Sequence, residues 1–307
     1  MSIARKIRRF QSTYRGIPIH GIKHYNWWVS TDTEGWFARF LTARLGAEDA
    51  RQFSFVSVFG KRRTFWFNRR EKKIFYTGEN VKRYPDYADH ALSDTVLSMG
   101  FDYLDHPKYI RFPLWIAYMF NGTETLEELH QKVDAFNQAR YTKTDFASLI
   151  ARHEGDTGLR RELFDAINPI APVSCAGPFC HNDDRLWQVF HNQKIQYLRQ
   201  FQFSICPENS NSPGYVTEKT FEAFMARSVP IYWGSDNNVE PGLVNQEAIL
   251  FWNQGADNSK VLETISDLHA HPKHYDDFIA QPPLLPALAD YVFETYQKVE
   301  KHLKSLL

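Results

Sequence analysis

The sequence predicts an α/β protein with two Rossmann-like domains that face each other across a cleft, followed by a C-terminal helix. Three observations support this fold class. Residues 22–59 show strand, helix and strand patterns in succession, which is how a parallel sheet begins. Residues 203–234 repeat strand, loop, helix and strand, as a βαβ unit does. Residues 138–145 carry no apolar period, which predicts a boundary between domains 1–141 and 142–286, with the helix at 287–307.

Short apolar runs alternate with helical periods in the first domain. The helix that begins near Trp36 keeps its apolar residues on one face, stops at Gly46 and follows the capping residues 30–32. A polar-faced helix is predicted at 125–136. Strands are predicted at 22–29, 53–59, 64–67, 73–76, 88–92 and 108–112.

The strand at 73–76 leads into Thr77-Gly-Glu-Asn80. Gly78 permits a sharp turn, so Glu79 is expected at the carboxyl end of a strand, where open α/β sheets bind their ligands. The same four residues also suit an ordinary turn, in which Glu79 has no chemical role.

The second domain shows the same alternation. A Pro, Gly and Cys-containing loop is predicted at 168–184, and prolines at 282, 283 and 286 precede the last helix. Strands are predicted at 146–151, 203–206, 229–233 and 248–252, and helices at 156–167, 186–201, from 217 onward, at 261–269 and at 287–306.

The loop and first helical turn between 207 and 219 concentrate polar residues. Thr217 is a suitable N-cap, and Lys219 adds a positive charge where backbone N–H groups already favour an anion. Glu218 suits sugar hydroxyls, and Asn209 and Tyr215 can donate hydrogen bonds to phosphate or hydroxyl oxygens. A capped helix with ordinary surface charges is the alternative interpretation.

Composition limits the class of protein. The chain of 307 residues has 36 basic and 36 acidic residues and a net charge of zero, so no overall field favours nucleic acid. No apolar run is long enough for a transmembrane helix, and three cysteines favour a reducing compartment. We therefore expect a cytoplasmic protein, in one interpretation peripheral at the inner membrane.

The N-terminus is basic. Arg5, Lys6, Arg8, Arg9 and Arg15 surround a few apolar residues within the first twenty positions. This pattern predicts either a short amphipathic helix with weak contact to anionic lipid or a solvated leader. The second interpretation is favoured, because one short turn buries little apolar area.

Several motifs together resemble the α-1,3-fucosyltransferases of glycosyltransferase family ten. They are Asn26-Trp-Trp28, Ile74-Phe-Tyr-Thr-Gly-Glu-Asn80, Tyr109-Ile-Arg-Phe-Pro113, Glu208-Asn209, Tyr215, Thr217-Glu-Lys219 and Pro230-Ile-Tyr-Trp-Gly234. They span nearly the whole chain in the family's order. The resemblance implies the GT-B fold, GDP-β-L-fucose as donor, and transfer with inversion to an N-acetyllactosamine-like or lipopolysaccharide glycan.

The resemblance also implies roles for single residues. Glu79 matches the family's proposed base, Lys219 a pyrophosphate contact and Glu218 a fucose contact. Asn209 and Tyr215 match further donor contacts. The remaining alternatives are a transferase of the same fold with another GDP-sugar or acceptor, and a carbohydrate-binding protein without turnover.

One departure concerns the second phosphate contact. The family carries an arginine in the loop after a Pro-Val segment, but here no arginine follows Pro172-Val173 until Arg185. His181, Arg185, Lys194 and Arg199 are the candidates to replace it, although imidazole lacks the permanent charge and fork of a guanidinium.

No metal site and no cofactor are expected. The spacing of Cys175, Cys180 and His181 lacks a second ligand pair, and Asp183-Asp184 is not a spaced Asp-x-Asp motif.

Overall fold

A computed structural model describes residues 3–27, 35–67, 69–155 and 157–307, without the side chains of 3–6, 8 and 9. The predicted capping residues 30–32 lie outside the described residues. The chain forms two compact units, one made of 1–129 and 291–307 and the other of 130–290.

These units divide the chain differently from the predicted domains. The first unit ends at residue 129, inside the helix Leu126–Gln138, rather than at 141. The predicted boundary lies later in the chain because the sequence loses its apolar period only at residue 138, where this helix ends. The predicted C-terminal helix is present as Ala287–Lys304. Most of it belongs to the first unit, where Tyr296 packs against Phe40 with ring centroids 5.2 Å apart.

The first unit has one six-stranded sheet. The strands lie in chain order, a β1–β2 hairpin is antiparallel and every later pair is parallel. The order does not reverse, so this sheet has no internal switch point. The strands are β1 Ile17–Ile19, β2 Ile22–Tyr25, β3 Phe53–Val56, β4 Lys72–Tyr76, β5 Leu97–Gly100 and β6 Tyr109–Arg111.

Short helices accompany the six-stranded sheet. Aromatic packing holds one face, with Phe37 and Tyr76 at a centroid separation of 4.2 Å, and the Trp36 indole N–H donates to the carbonyl of Phe120. The helices are α1 Ile3–Tyr14, α2 Trp36–Leu45, α3 Ala47–Ala50, α4 Thr64–Phe67, α5 Leu114–Met119 and α6 Leu126–Gln138.

Two predicted strands of the first unit are wrong. Residues 64–67 form the helical turn α4, because the Lys61, Arg62 and Arg63 carbonyls accept from the amides three residues on. Residues 88–92 form a turn in which His90 and Ala91 have φ of 55° and 53°. The true strand is β5, which the sequence did not indicate because Leu-Ser-Met-Gly is short and has little β propensity.

The second unit has a five-stranded parallel sheet in the order β11-β10-β9-β7-β8. This is a doubly wound order whose switch point lies between β7 and β9, where ligands bind at the carboxyl ends of the strands. The strands are β7 Asp145–Ser148, β8 Val173–Ser174, β9 Phe201–Pro207, β10 Val229–Trp233 and β11 Leu250–Phe251.

Helices on the two faces complete the second unit, and Ile167, Phe203, Ile231 and Ile265 lie in its apolar core. The predicted helix 186–201 is divided into two, because His191 and Asn192 have φ of 50° and 63°. The helices of this unit are α7 Leu159–Ile167, α8 Arg185–Gln188, α9 Lys194–Leu198, α10 Glu218–Met225, α11 Ser259–Ala270 and α12 Pro272–Ala280. The last helix of the chain, α13 Ala287–Lys304, lies mostly in the first unit.

Short 3-10 turns occur at Val81–Arg83, Pro85–Tyr87, Ser235–Asn237 and Gln246–Ala248. Among the described residues, no helix combines the length and the apolar character needed to span a bilayer.

Candidate active site

The first turn of α10 is built around a buried carboxylate. The Thr217 amide and hydroxyl each donate to the Glu208 carboxylate, both at 2.7 Å. Thr217 occupies the predicted N-cap position, but its hydroxyl donates a hydrogen bond to Glu208 and makes no cap bond to the helix. Glu208 fixes the loop that leads from β9 into the helix.

Lys219 completes this network. Its Nζ lies 3.1 Å from Glu208 Oε2, 2.8 Å from Thr217 Oγ1 and 3.9 Å from Glu218 Oε1. The Glu208 side chain is 0% exposed, and burial raises its pKa although Lys219 opposes the shift. The Lys219 ammonium is thus held at the helix N-terminus by groups that neutralise it in part.

Gly234 makes room for the buried carboxylate. Its φ is +140°, and a Cβ there would lie 2.7 Å from Glu208 Cγ. A side chain at this position would displace Glu208, which explains why glycine follows the strand β10.

A pocket opens beside Lys219 at the switch point of the sheet. Its walls come from the ends of β7 and β9 and from α9 and α10. They include the charged groups Lys194, Lys219 and Glu222, and the neutral residues Ser148, Ile150, Leu198, Ser204, Ile205 and Cys206.

Lys194 pairs with Glu222 across this pocket. Burial raises the pKa of Glu222 to about 7. Burial alone would lower the pKa of Lys194, but Glu222 and Glu218 reverse that shift and raise it. Burial also works against ionised Glu218, yet Lys219 and Lys194 hold its pKa below the usual value. The pocket therefore contains two ammonium groups, and neighbouring carboxylates balance part of their positive charge.

Arg160 is the cation that the sequence reasoning missed. Its Nη2 lies 2.8 Å from Oδ1 of Asn209, one of the predicted donor contacts. Arg160 stands in the first turn of α7, which follows β7. A helix that follows a parallel strand begins at the carboxyl edge of the sheet, so a cation in its first turn could have been singled out from the sequence.

Arg185 lies elsewhere. It binds Asp145 at 3.1 Å and Asp183 at 2.8 Å, and its guanidinium lies 5.6 Å from the centre of the Phe201 ring. Asp145 and Phe201 are the first residues of β7 and β9 and pair with each other, so Arg185 sits at the amino edge of the sheet. Two carboxylates thus hold Arg185 at the edge of the sheet opposite Lys219, so the structure does not bring this predicted phosphate contact into the pocket.

His181 lies in the loop that leaves the edge strand β8. Its Nε2 pairs with Asp184 Oδ1 at 2.9 Å, and its Nδ1 lies 3.3 Å from the Gly177 carbonyl. Tyr215 is only 1% exposed, so its phenol belongs to the packing beneath the loop. Of the predicted donor contacts, the structure brings together Lys219, Glu218 and Lys194, while Asn209 is joined to Arg160.

Glu79 stands in the first unit at the carboxyl end of β4, as predicted. Its amide donates to Thr77 Oγ1 at 2.9 Å, and Asn80 caps the following turn by accepting from the Lys82 amide. Gly78 does not have a positive φ. It is needed because a Cβ would lie 2.9 Å from Leu114 Cδ2, so close packing and not turn conformation explains this glycine.

A second acid leaves the neighbouring strand at the same edge. Tyr76 pairs with Met99, so Asp102 follows β5 at the height at which Glu79 follows β4. His90 Nε2 lies 3.3 Å from Asp102 Oδ2, and burial raises the pKa of Asp102 against the opposing effect of His90. The sequence did not single out this pair, because β5 itself was not predicted.

Two family models match the chain. Residues 140–280 match the model described as glycosyltransferase family 10 (fucosyltransferase) C-term. Residues 22–118 match the alpha-(1,3)-fucosyltransferase FucT N-terminal domain, so the two matches together cover most of the sequence. The chain belongs to glycosyltransferase family 10.

Curated relatives of this family 10 protein include two α-(1,3)-fucosyltransferases. FucT of Helicobacter pylori is 27% identical over 271 residues, which are 80% of this chain and 54% of the relative. Alpha-(1,3)-fucosyltransferase B of Drosophila melanogaster is 25% identical over 181 residues, which are 56% of this chain and 40% of the relative. The chain thus spans about half the length of the curated relatives it matches.

Solved structures share the fold. A crystal structure of α1,3-fucosyltransferase with GDP-fucose aligns with a TM-score of 0.56 at 22% identity, over 80% of this chain and 78% of that chain. The structure with GDP aligns with a TM-score of 0.57 at 21% identity, over 90% of this chain and 88% of that chain. The family 10 protein therefore has the GT-B fold.

Proposed function

We propose that this family 10 protein is an inverting fucosyltransferase that uses GDP-β-L-fucose. Its acceptor would be a hydroxyl of a glycan containing N-acetylglucosamine, most simply through an α-1,3 linkage. The observation that carries the proposal is the pair of ammonium groups, Lys219 and Lys194, in a pocket at the switch point of a doubly wound sheet.

The leaving group explains why such a pocket is useful. Breaking the bond between fucose and GDP puts negative charge on the diphosphate, and preorganised cations lower the barrier by stabilising it. Lys219 would contact that diphosphate together with the N-terminal amides of α10. Arg160, beside Asn209, would be the second phosphate contact, the role for which His181, Arg185 and Lys194 were candidates from the sequence.

Glu218 would contact the sugar. Lys219 and Lys194 favour its ionised form, and an ionised carboxylate accepts hydrogen bonds from sugar hydroxyls. Tyr215 would support the loop rather than touch the donor, since its side chain is buried.

Glu79 would act as the general base. It would take the proton of the acceptor hydroxyl as that oxygen attacks the anomeric carbon and GDP departs. Its place at the carboxyl end of β4 and the half-buried state of its side chain support this role.

We also propose that transfer needs no divalent ion, because lysine and arginine side chains supply the positive charge. Activity should survive dialysis against EDTA. A loss that Mn²⁺ restores would contradict this part of the proposal.

The N-terminus supports a weak contact with an anionic membrane. Residues 1–31 and 61–70 contain lysine and arginine but no acid. Helix α1 forms, with Phe10 exposed, and Trp66 and Phe67 of α4 are exposed as well. Tyr14 joins the two helices, with its ring 5.2 Å from that of Phe67. Basic and aromatic residues together are typical of interfacial helices.

Such a contact would place the enzyme at the cytoplasmic side of a membrane and near a lipid-borne acceptor such as lipopolysaccharide. The odd number of cysteines, three, favours such a reducing compartment. Vesicles with anionic lipid should sediment the protein, and Trp66→Ser should weaken sedimentation while Trp187→Ser, an exposed tryptophan of the second unit, should not. Equal binding of both variants would contradict the contact.

A panel of GDP-sugars and glycans tests the whole proposal. We expect GDP release that depends on both GDP-fucose and an N-acetylglucosamine-containing acceptor. Release with another GDP-sugar would favour a different donor. Binding of glycan without any release of GDP would favour a carbohydrate-binding protein.

A further inference from the structure

Two histidines and an aspartate converge on the surface of the second unit, where α11 meets α12. His271 Nδ1 lies 2.9 Å from Asp267 Oδ1, and His274 Nδ1 lies 2.8 Å from Asp267 Oδ2. The two imidazole rings are 4.9 Å apart. The three candidate ligand atoms, one from each residue, lie within 4.8 Å of one another.

The helices hold these residues in place from below. Ile265 and Leu268 of α11 and Tyr275 of α12 lie in the apolar core, and the Tyr275 hydroxyl donates to the Gln202 carbonyl at 3.0 Å. Residues on the opposite faces of the same turns therefore keep their spacing. The three side chains remain about half exposed, so an ion from solution can reach them.

We propose that Asp267, His271 and His274 form a binding site for a divalent transition-metal ion, with Zn²⁺ as the first choice. Two imidazole nitrogens and one carboxylate oxygen are ligands that Zn²⁺ uses, and water would fill the fourth position. The site would tie α11 to α12. It is independent of the proposed transferase activity, and none of its three residues is among those lining the pocket described at Lys219.

Binding needs a change of tautomer and a small movement, because both Nδ1 atoms face oxygen acceptors and His271 Nδ1 also lies 3.0 Å from the Asp267 carbonyl. With metal–ligand bonds of about 2.0–2.2 Å in a tetrahedron, neighbouring ligand atoms lie about 3.3–3.5 Å apart. The carboxylate–imidazole contacts would open by about half an ångström, which side-chain torsions allow at an exposed site. Each ring would bind through Nδ1 as neutral imidazole and keep its proton on Nε2.

Nearby charge does not oppose the ion. Lys273, between the two histidines in sequence, pairs with Asp277 at 2.9 Å. Asp277 thus holds the Lys273 ammonium, and the carboxylate oxygens of Asp267 contact only the two imidazoles among the ion pairs of the described residues.

Calorimetric titration of the untagged full chain with ZnCl₂ tests the site. We expect saturable binding of one ion per chain above any weaker background from the other histidines. His274→Ala and Asp267→Asn should each weaken that binding by at least about 10–100-fold, the loss that even an outer-shell change produces. Mg²⁺ should not compete, because it prefers all-oxygen sites.

His130→Ala is the matched control. His130 also pairs with an acid, Asp290 at 3.2 Å, but lies outside the cluster. Zinc binding unchanged in His130→Ala and lost in the other two variants would support the site. Absence of saturable binding in the wild type, or equal losses in all three variants, would overturn it. Circular dichroism of each variant checks that it is folded.

Discussion

Replacing Lys219 should weaken both ligand binding and folding stability, because this residue is proposed to contact the diphosphate and also pairs with a buried acid. A second substitution can then separate the two effects. Its Nζ is 3.1 Å from the carboxylate of Glu208, whose side chain is fully buried. Lys219→Ala removes a charge-assisted bond to the diphosphate, worth about 1.5–3 kcal/mol, so GDP should bind about 10- to 100-fold more weakly.

The same change leaves a buried acid without its cation. Breaking a buried ion pair costs about 3–5 kcal/mol, less whatever Glu208 recovers by taking up a proton. Lys219→Ala should therefore also unfold at lower urea concentration. The combination Glu208→Gln with Lys219→Met removes the uncompensated charge and should recover part of that stability.

Calorimetry with GDP and urea unfolding, run on both variants, distinguish the two effects. We expect the double variant to regain stability but not GDP affinity. Lys298→Ala, an exposed lysine paired with Glu294, is the control and should change neither. GDP affinity that returns with stability would refute the assignment of Lys219 to the ligand and leave it a purely structural residue.

Three further predictions concern other parts of the chain. Glu79→Gln should lower kcat by roughly 10²–10⁴ in a transfer assay and leave GDP affinity unchanged. The Tm of this variant should not change, because the backbone amide of residue 79, and not its side chain, makes the bond to Thr77. A near wild-type rate would exclude Glu79 as the base. Burial lowers the pKa of His24 to about 4, so the unfolded state binds the proton more readily, and the free energy of unfolding should fall as pH drops from about 6.5 to 4. Urea unfolding should show that this free energy decreases by about 2 kcal/mol between pH 7 and 5, and His24→Gln should abolish the decrease. An equal decrease in that variant would contradict this cause. Arg185→Ala should lower Tm and leave GDP affinity unchanged in calorimetry, and weaker GDP binding by a folded variant would return Arg185 to the site.

Local sequence was sufficient wherever one segment builds a feature by itself. The βαβ unit around α10 has the predicted order, because its apolar periods and its Pro, Asn and Gly loop act over neighbouring residues. The same holds for Glu79 at the end of β4 and for the helix Trp36–Leu45 with its stop at Gly46.

Only the tertiary structure decided features that join distant segments. Arg185 follows a predicted loop in sequence, but its partner Asp145 lies forty positions away at the amino edge of the sheet. Arg160 meets Asn209 across a comparable separation, and the buried pair of Lys194 with Glu222 joins two helices. Periodicity carries no information about such pairings, because they depend on strand order and on which edge of the sheet each loop leaves. The sequence therefore determined the family, the elements near α10 and the charge of the site, and the fold decided which cations reach it.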